Sequence, residues 1–303
     1  MSIVALTKII KSGSISPTDV TLSGSLTPEQ AHNFVQVIKD NSDFLKKITV
    51  TKMGKLEKEL DAWDVVRGIL VRVASGDKPT EEQRRKLNKA GCKLRSQPVQ
   101  LFARILKDTL EDNKDNPKFE DETFKSFTTA FGNDLSYLGF VGIADEYDDV
   151  NFNTLNKGWI QVAKESADVT KIEYIPADTT VKERLASIAK NIHPDAKKDT
   201  VILVSSADMM TYNEELATNA AANLVINGDA DKILGIPLEE HPDITEGEYM
   251  ATPLKNLVLG IGLSISRDRY YDSEERALKY IFDVYNDYEI VVKKWVTLLT
   301  PTV

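Results

Sequence analysis

Apolar positions along the chain change period several times, and each change predicts an element. Residues 1–26 show little period and are rich in Ser, Thr and Gly, so they read as an extended arm that orders only against a partner surface. Thr27-Pro28-Glu29-Gln30 forms a capping box with proline at the first helical position. Ala31, Phe34, Ile38 and Leu45 follow on one helical face, which predicts a helix ending near Lys47. Val65, Ile69, Val71 and Val73 share one parity instead, as in a strand, and Gly76-Asp77-Lys78-Pro79 turns the chain. A short helix is predicted within 80–90, and a second extended run from Cys92 to Ile105. Segment 49–104 is therefore a long β-excursion. Its apolar content is too thin for a core of its own, because a lone two-stranded ribbon is marginal in water.

Asn116-Pro117 caps the next predicted helix, and Glu120, Asp121 and Glu122 complement the dipole in its first turn. Phe124, Phe127, Phe131, Leu135 and Leu138 form one stripe, ended by Gly139 and Gly142. Such a helix is a rod of about 30 Å. From residue 150 the pattern alternates, as in a compact α/β domain. A helix over 155–167 contains Trp159, and Thr180-Val-Lys-Glu183 is a capping box ahead of Val181, Leu185, Ile188 and Ile192. Val201 to Val204 reads as a short strand buried on both faces, followed by a helix over 207–222. An extended run at 233–238, a turn at His241-Pro242-Asp243 and a strand at 256–265 complete that part. Leu278, Tyr280, Phe282, Val284, Tyr288, Ile290 and Val292 then share one parity, interrupted only by Asn286. This predicts a strand of about 15 residues against a usual 5–6, and hence an elongated domain. The fold class is α+β.

Composition narrows the classes. The chain of 303 residues suits two packed domains, or one core with long excursions. At 42% apolar and 28% charged, wholesale disorder is excluded. No apolar run approaches the roughly 20 residues of a bilayer span, so no membrane association is expected. No signal peptide follows the short apolar start, and Cys92 is the only cysteine, so a reducing, cytoplasmic place of synthesis is expected, with no disulfide and no cysteine metal site. The 38 basic and 47 acidic residues give −9, which argues against a general nucleic-acid binder. Against that sign stands a basic run, Arg84, Arg85, Lys86, Lys89, Lys93 and Arg95, with no acid between its members. It reads either as a solvated face or as a docking patch for an acidic surface on another subunit. The sequence holds such a surface: Asp108, Glu111, Asp112, Asp115, Glu120, Asp121 and Glu122.

Catalytic chemistry finds little support. His32 falls on a predicted helix, while His193 and His241 each precede a proline in loops, so all three are expected in solvated positions. No phosphate loop occurs, and Gly260-Ile-Gly262 lacks the third glycine of a dinucleotide fingerprint. Ser205 and Ser206 follow a buried strand, but Gly-x-Ser-x-Gly is missing, so helix capping is the better reading. Asp145-Glu146-Tyr147-Asp148-Asp149 reads as a solvated turn. A calcium loop begun at Asp149 has Thr154 where glycine is needed, and one begun at Asp229 and Asp231 fails at Ile233. No catalytic residue, metal ligand or cofactor is expected.

Taken in order, these parts resemble the tailed-bacteriophage major capsid (coat) protein fold, which encapsulins share. Asn41-Ser-Asp-Phe-Leu-Lys-Lys-Ile-Thr-Val50 is similar to the helix leading into that family's extended loop. Asn156-Lys-Gly-Trp-Ile160 is similar to the start of the axial-domain helix in coat proteins of temperate contractile-tailed phages. Ile233-Leu-Gly-Ile-Pro-Leu238, Asn256-Leu-Val-Leu-Gly-Ile261 and Arg267-Asp-Arg269 resemble its axial strands. The resemblance implies an N-terminal arm and helix over 1–48, an extended β-loop over 49–104, a peripheral domain from 105–150 and 272–303, and an axial domain over 151–271. It implies a structural protein, not an enzyme. Hexamers and pentamers would form an icosahedral shell around packaged double-stranded DNA, without sequence-specific binding. Scaffold and portal proteins would take part, with room for a decoration protein, in a virion assembled in the bacterial host cytoplasm. Two departures stand out: the loop tip is basic, and no scaffolding domain precedes the arm, so a removed prosegment is not expected. The alternatives are an encapsulin-like compartment and an α/β enzyme with an unrecognised site.

Overall fold

The computed structural model describes residues 24–25, 38–39, 42–64, 72–73, 78, 80, 88–113, 115–116, 119–144, 151–218, 231–262 and 266–302. Six helices are described: α1 (Asp43–Lys47), α2 (Lys107–Asp112), α3 (Phe119–Val141), α4 (Trp159–Glu165), α5 (Val181–Lys190) and α6 (Ser206–Thr218). The strands are β1 (Gly24–Ser25), β2 (Thr49–Lys52), β3 (Glu57–Asp64), β4 (Asn88–Arg95), β5 (Gln97–Leu106), β6 (Thr170–Tyr174), β7 (Thr200–Ser205), β8 (Lys232–Ile233), β9 (Ile236–His241), β10 (Tyr249–Pro253), β11 (Leu257–Ile261), β12 (Ser266–Asp272), β13 (Ala277–Ile290) and β14 (Thr297–Pro301).

Two six-stranded sheets and one projecting hairpin carry the fold. The first sheet is organised around β13, whose 14 residues match the long parity run. It pairs antiparallel with β12, with β11 and, over Ala277 to Asn286, with β5. Along its inner face Val284, Asn286, Tyr288 and Ile290 are buried. Helix α3, 23 residues and about 35 Å long, lays Phe131, Leu135 and Leu138 on that face. Asn286, the one polar position in the run, is fully buried and satisfied in part: its Nδ2 donates to Tyr288 Oη at 3.1 Å, and its carbonyl accepts from Asn156 Nδ2 at 3.1 Å. Tyr288 Oη in turn donates to the Leu135 carbonyl at 2.7 Å.

The second sheet has the order β6-β14-β10-β7-β9-β8. Helix α5 packs on it through Val181, Leu185, Ile188 and Ala189. Its capping box is present as read: Glu183 N–H donates to Thr180 Oγ1 and Thr180 N–H to Glu183 Oε2. Ser205 caps α6, its Oγ accepting from Asp208 N–H at 3.1 Å. The β8–β9 hairpin turns on Leu234 (φ 50°) and Gly235 (φ 82°), a pair of left-handed residues that matches the twist of the flanking strands.

Within the first core, α3 crosses the chain entering α4. A Cβ at Gly158 would lie 2.4 Å from the Gly139 carbonyl oxygen, and one at Gly139 would lie 2.3 Å from the Trp159 ring. Glycine is required at both by close approach. Trp159, fully buried, donates its Nε1–H to the Val258 carbonyl at 2.9 Å and so ties this crossing to the first sheet.

Several expectations change. The helix expected to run to Lys47 is broken at Ser42, whose extended backbone (φ −114°, ψ 120°) starts α1 afresh as its N-cap. Of the arm, Gly24 and Ser25 are described and pair with Arg267 and Ser266; the capping box at 27–30 lies outside the described residues. In 80–90, Asn88 to Ala90 form strand, and 81–87 lie outside the described residues. The helix at 155–167 is shorter, Trp159–Glu165, and the strand at 256–265 is Leu257–Ile261. His241 is not solvated: it ends β9 with 7% exposure. Sheet membership also crosses the limits expected from sequence. Strand β14, from the 272–303 segment, pairs with β6 and β10, while β11, from the 151–271 segment, pairs with β13.

Candidate functional site

The feature without a core of its own is the hairpin β3–β4, paired in register from Glu57↔Arg95 to Asp64↔Asn88. Eight residues per strand give it a reach of about 26 Å. Among the described residues, its base is the anchored part. Leu94 is buried against Met53 and Val258, with Leu60 half-buried beside them, and Cys92 is buried as well. Burial pushes the Cys92 thiol up to about 12, so it is inert at neutral pH. Arg95 N–H donates to Asp287 Oδ2 at 2.5 Å, Ser96 N–H to the Leu56 carbonyl at 2.9 Å, and Lys58 Nζ to Thr51 Oγ1 at 2.7 Å.

The basic run is divided by the structure. Arg84, Arg85 and Lys86 lie outside the described residues, and Lys89 belongs to β4. Lys93 pairs with Glu57 at 2.6 Å, and Arg95 approaches the same carboxylate at 3.8 Å. The Lys93 hydrogen bond holds the Glu57 carboxyl below its ordinary value. Both pairs are exposed, and such pairs contribute about 0–1 kcal/mol. Sequence reasoning missed the partner strand. Glu57, Glu59 and Asp61 alternate at strand parity, and the register sets Glu57 opposite Arg95 and Glu59 opposite Lys93. A run that is purely basic along the chain is thus partly neutralised across the ladder.

The acidic residues collect at the other end of β5. Asp108, Glu111 and Asp112 lie on α2, a helix absent from the sequence reading, and all are exposed. Asp115 and Glu122 are exposed as well, and Glu120 and Asp121 belong to the first turn of α3. Within the subunit Glu111 pairs with Lys107 at 3.2 Å and Asp108 with Arg276 at 3.9 Å. Strand β5 spans about 33 Å between Gln97, next to the hairpin base, and Leu106, next to α2. The structure therefore does not bring the Lys93–Arg95 end of the basic run to these acids within one chain. Strand β5 also turns Phe102 (68% exposed) and Leu106 (50%) outward, so apolar surface lies between the two charged regions.

Among the described residues no cluster of His, Cys, Asp and Glu is arranged to hold a metal ion, and no helix is long and apolar enough to cross a membrane. No known protein family matches the sequence, and no curated protein matches it. Solved structures do match the fold. A chain of the satellite phage P4 procapsid with its size determination protein is 16% identical, with 90% of this chain and 99% of that one covered at a TM-score of 0.70. The capsid of an empty GTA particle is 9% identical, with 100% and 99% covered at 0.59. A chain of Microbacterium phage Oxtober96 is 12% identical, with 99% of each chain covered at 0.55. The chain thus has the phage capsid protein fold, the one that its sequence resembles.

Proposed function

We propose that this protein is the major capsid protein of a tailed phage or prophage, a structural tile that builds a closed icosahedral shell from hexamers and pentamers. The observation that carries the reading is the likeness to a P4 procapsid chain over 90% of this chain and 99% of that one. The hairpin supplies the physical reason. Among its described residues the packing against the subunit's own core is at the base, so a neighbouring subunit provides further burial, at roughly 25 cal/mol per Å² of apolar surface. Closed rotational symmetry repeats that gain at every contact. Basic hairpin ends and acidic α2 regions, held apart within one chain, meet between copies and fix register more than they add affinity.

The shell would enclose double-stranded DNA, and a net charge of −9 suits a lining that does not hold each phosphate. Scaffold and portal proteins would direct closure in the host cytoplasm. Sedimentation and negative-stain microscopy of the protein expressed with its genomic neighbours test this reading. Shells of uniform diameter are expected; a small oligomer under every condition, with turnover of a small molecule, would sink it.

A further inference from the structure

Three elements that are distant in sequence meet at His241. Its ring lies between Phe44 of α1, centroids 4.6 Å apart, and Phe140 of α3, at 4.4 Å. The Asp243 backbone N–H points to His241 Nδ1 at 3.3 Å, so that nitrogen accepts and carries no proton. The proton sits on Nε2, 3.4 Å from Ser136 Oγ on α3. A second tie crosses the same junction: Lys47 of α1 pairs with Glu239 of β9. One side opens to a cleft of about 570 Å³, lined in part by Asp43, Asp134 and Tyr137.

We propose that this junction is an acid-operated joint, in which a proton taken from solvent onto His241 Nδ1 releases α1 and α3 from β9 of the second sheet. The neutral ring fits its place as a flat, weakly polar plate between two phenyl rings. Protonation removes the acceptor of the Asp243 N–H and leaves a cation in a largely apolar slot. The charged groups around it compensate less as pH falls. On α1, Lys47 repels the cation, and Asp43 is engaged by Lys46. On α3, burial raises the Asp134 carboxyl, and in the turn after β9 burial raises Asp243, whose Oδ2 is 3.7 Å from Nδ1. Those two carboxylates therefore begin to lose charge as acid rises. Glu239 is committed to Lys47, and Glu240 completes the set on β9.

Burial first, and Lys47 second, hold His241 down at about 4 against an ordinary 6.5. The closed joint binds the proton less well than the open one, so closure is fully favoured above pH 6.5 and weakens as pH falls toward 4. Across that window the opening constant rises by up to about 300-fold. The joint belongs to a single subunit, so its test does not depend on shell formation.

The test is hydrogen–deuterium exchange of the full chain from pH 7 to pH 4, corrected for the intrinsic rate, on wild type and His241→Gln. Glutamine can accept from the Asp243 N–H but does not titrate. Expected is a rise of exchange in 42–47, 133–141 and 239–244, relative to α5, in the wild type and not in the variant. An equal rise in both, or none in the wild type, overturns the proposal. Should His241→Gln not fold, Lys47→Met carries the test. With the Lys47 repulsion removed, the acid-driven rise of exchange between pH 7 and pH 4 is smaller than in the wild type if the proposal holds, and a rise of unchanged size overturns it.

Discussion

Replacing Gly139 by alanine probes the crossing of α3 and α4 within the first core. The added Cβ would lie 2.3, 2.8 and 2.8 Å from three carbons of the Trp159 ring. That ring cannot swing aside. Phe44, Phe140 and Tyr288 surround it with centroids at 5.9, 5.4 and 5.1 Å, and its Nε1 is held by the Val258 carbonyl. Overpacking of this kind costs about 1–3 kcal/mol. Alanine returns about 1 kcal/mol of helix propensity over glycine, so the net loss is up to about 2 kcal/mol. Gly132→Ala, in the same helix, is the matched control: its Cβ would meet Ile38 atoms no closer than 3.3 Å. The difference between the two variants cancels propensity and isolates the clash at about 1–3 kcal/mol. Urea unfolding of unassembled subunits, followed by far-ultraviolet circular dichroism, measures it through midpoint and slope. Stabilities that agree within about 0.5 kcal/mol would refute a tight crossing.

Other consequences are read more simply. Thr180→Ala removes the capping box of α5 and is expected to lower stability by about 1 kcal/mol in the same urea assay. Leu94→Ala, at a position with no exposure, is expected to cost about 2–5 kcal/mol of local stability and to raise amide exchange through β3 and β4 before any change in α5. Leu234→Asn relieves an exposed leucine held at φ 50° and is expected to raise stability by about 1 kcal/mol, seen as a higher urea midpoint. Reversing Arg84, Arg85 and Lys86 to glutamate is expected to block shell formation, scored by microscopy, with circular dichroism of the subunit unchanged; normal shells would remove the docking role.

Elements with a self-contained local signal were legible in the sequence. The capping box at Thr180, the all-apolar Val201–Val204 strand and the β13 parity run each state their structure within a few residues. What sequence hides is decided by partners distant along the chain. Asn286 looks like an interruption until Asn156, 130 residues away, is brought to it. His241 precedes a proline and reads as a loop residue, yet Phe44 and Phe140 enclose it from positions 197 and 101 residues away. Gly139 reads as a helix stop, whereas α3 continues to Val141 and the glycine serves a crossing. The basic run shows the same limit at the candidate site: β3 carries the acids that oppose its members, and pairing is invisible along one strand.

A cryo-electron microscopy reconstruction of particles purified after expression with the genomic neighbours tests the central claim most directly. It should show a closed shell in which the 57–95 hairpin of each subunit lies on the adjacent copy, its basic end against acids of the 108–122 region. A hairpin folded wholly onto its own subunit, in an assembly that never closes, would contradict the account.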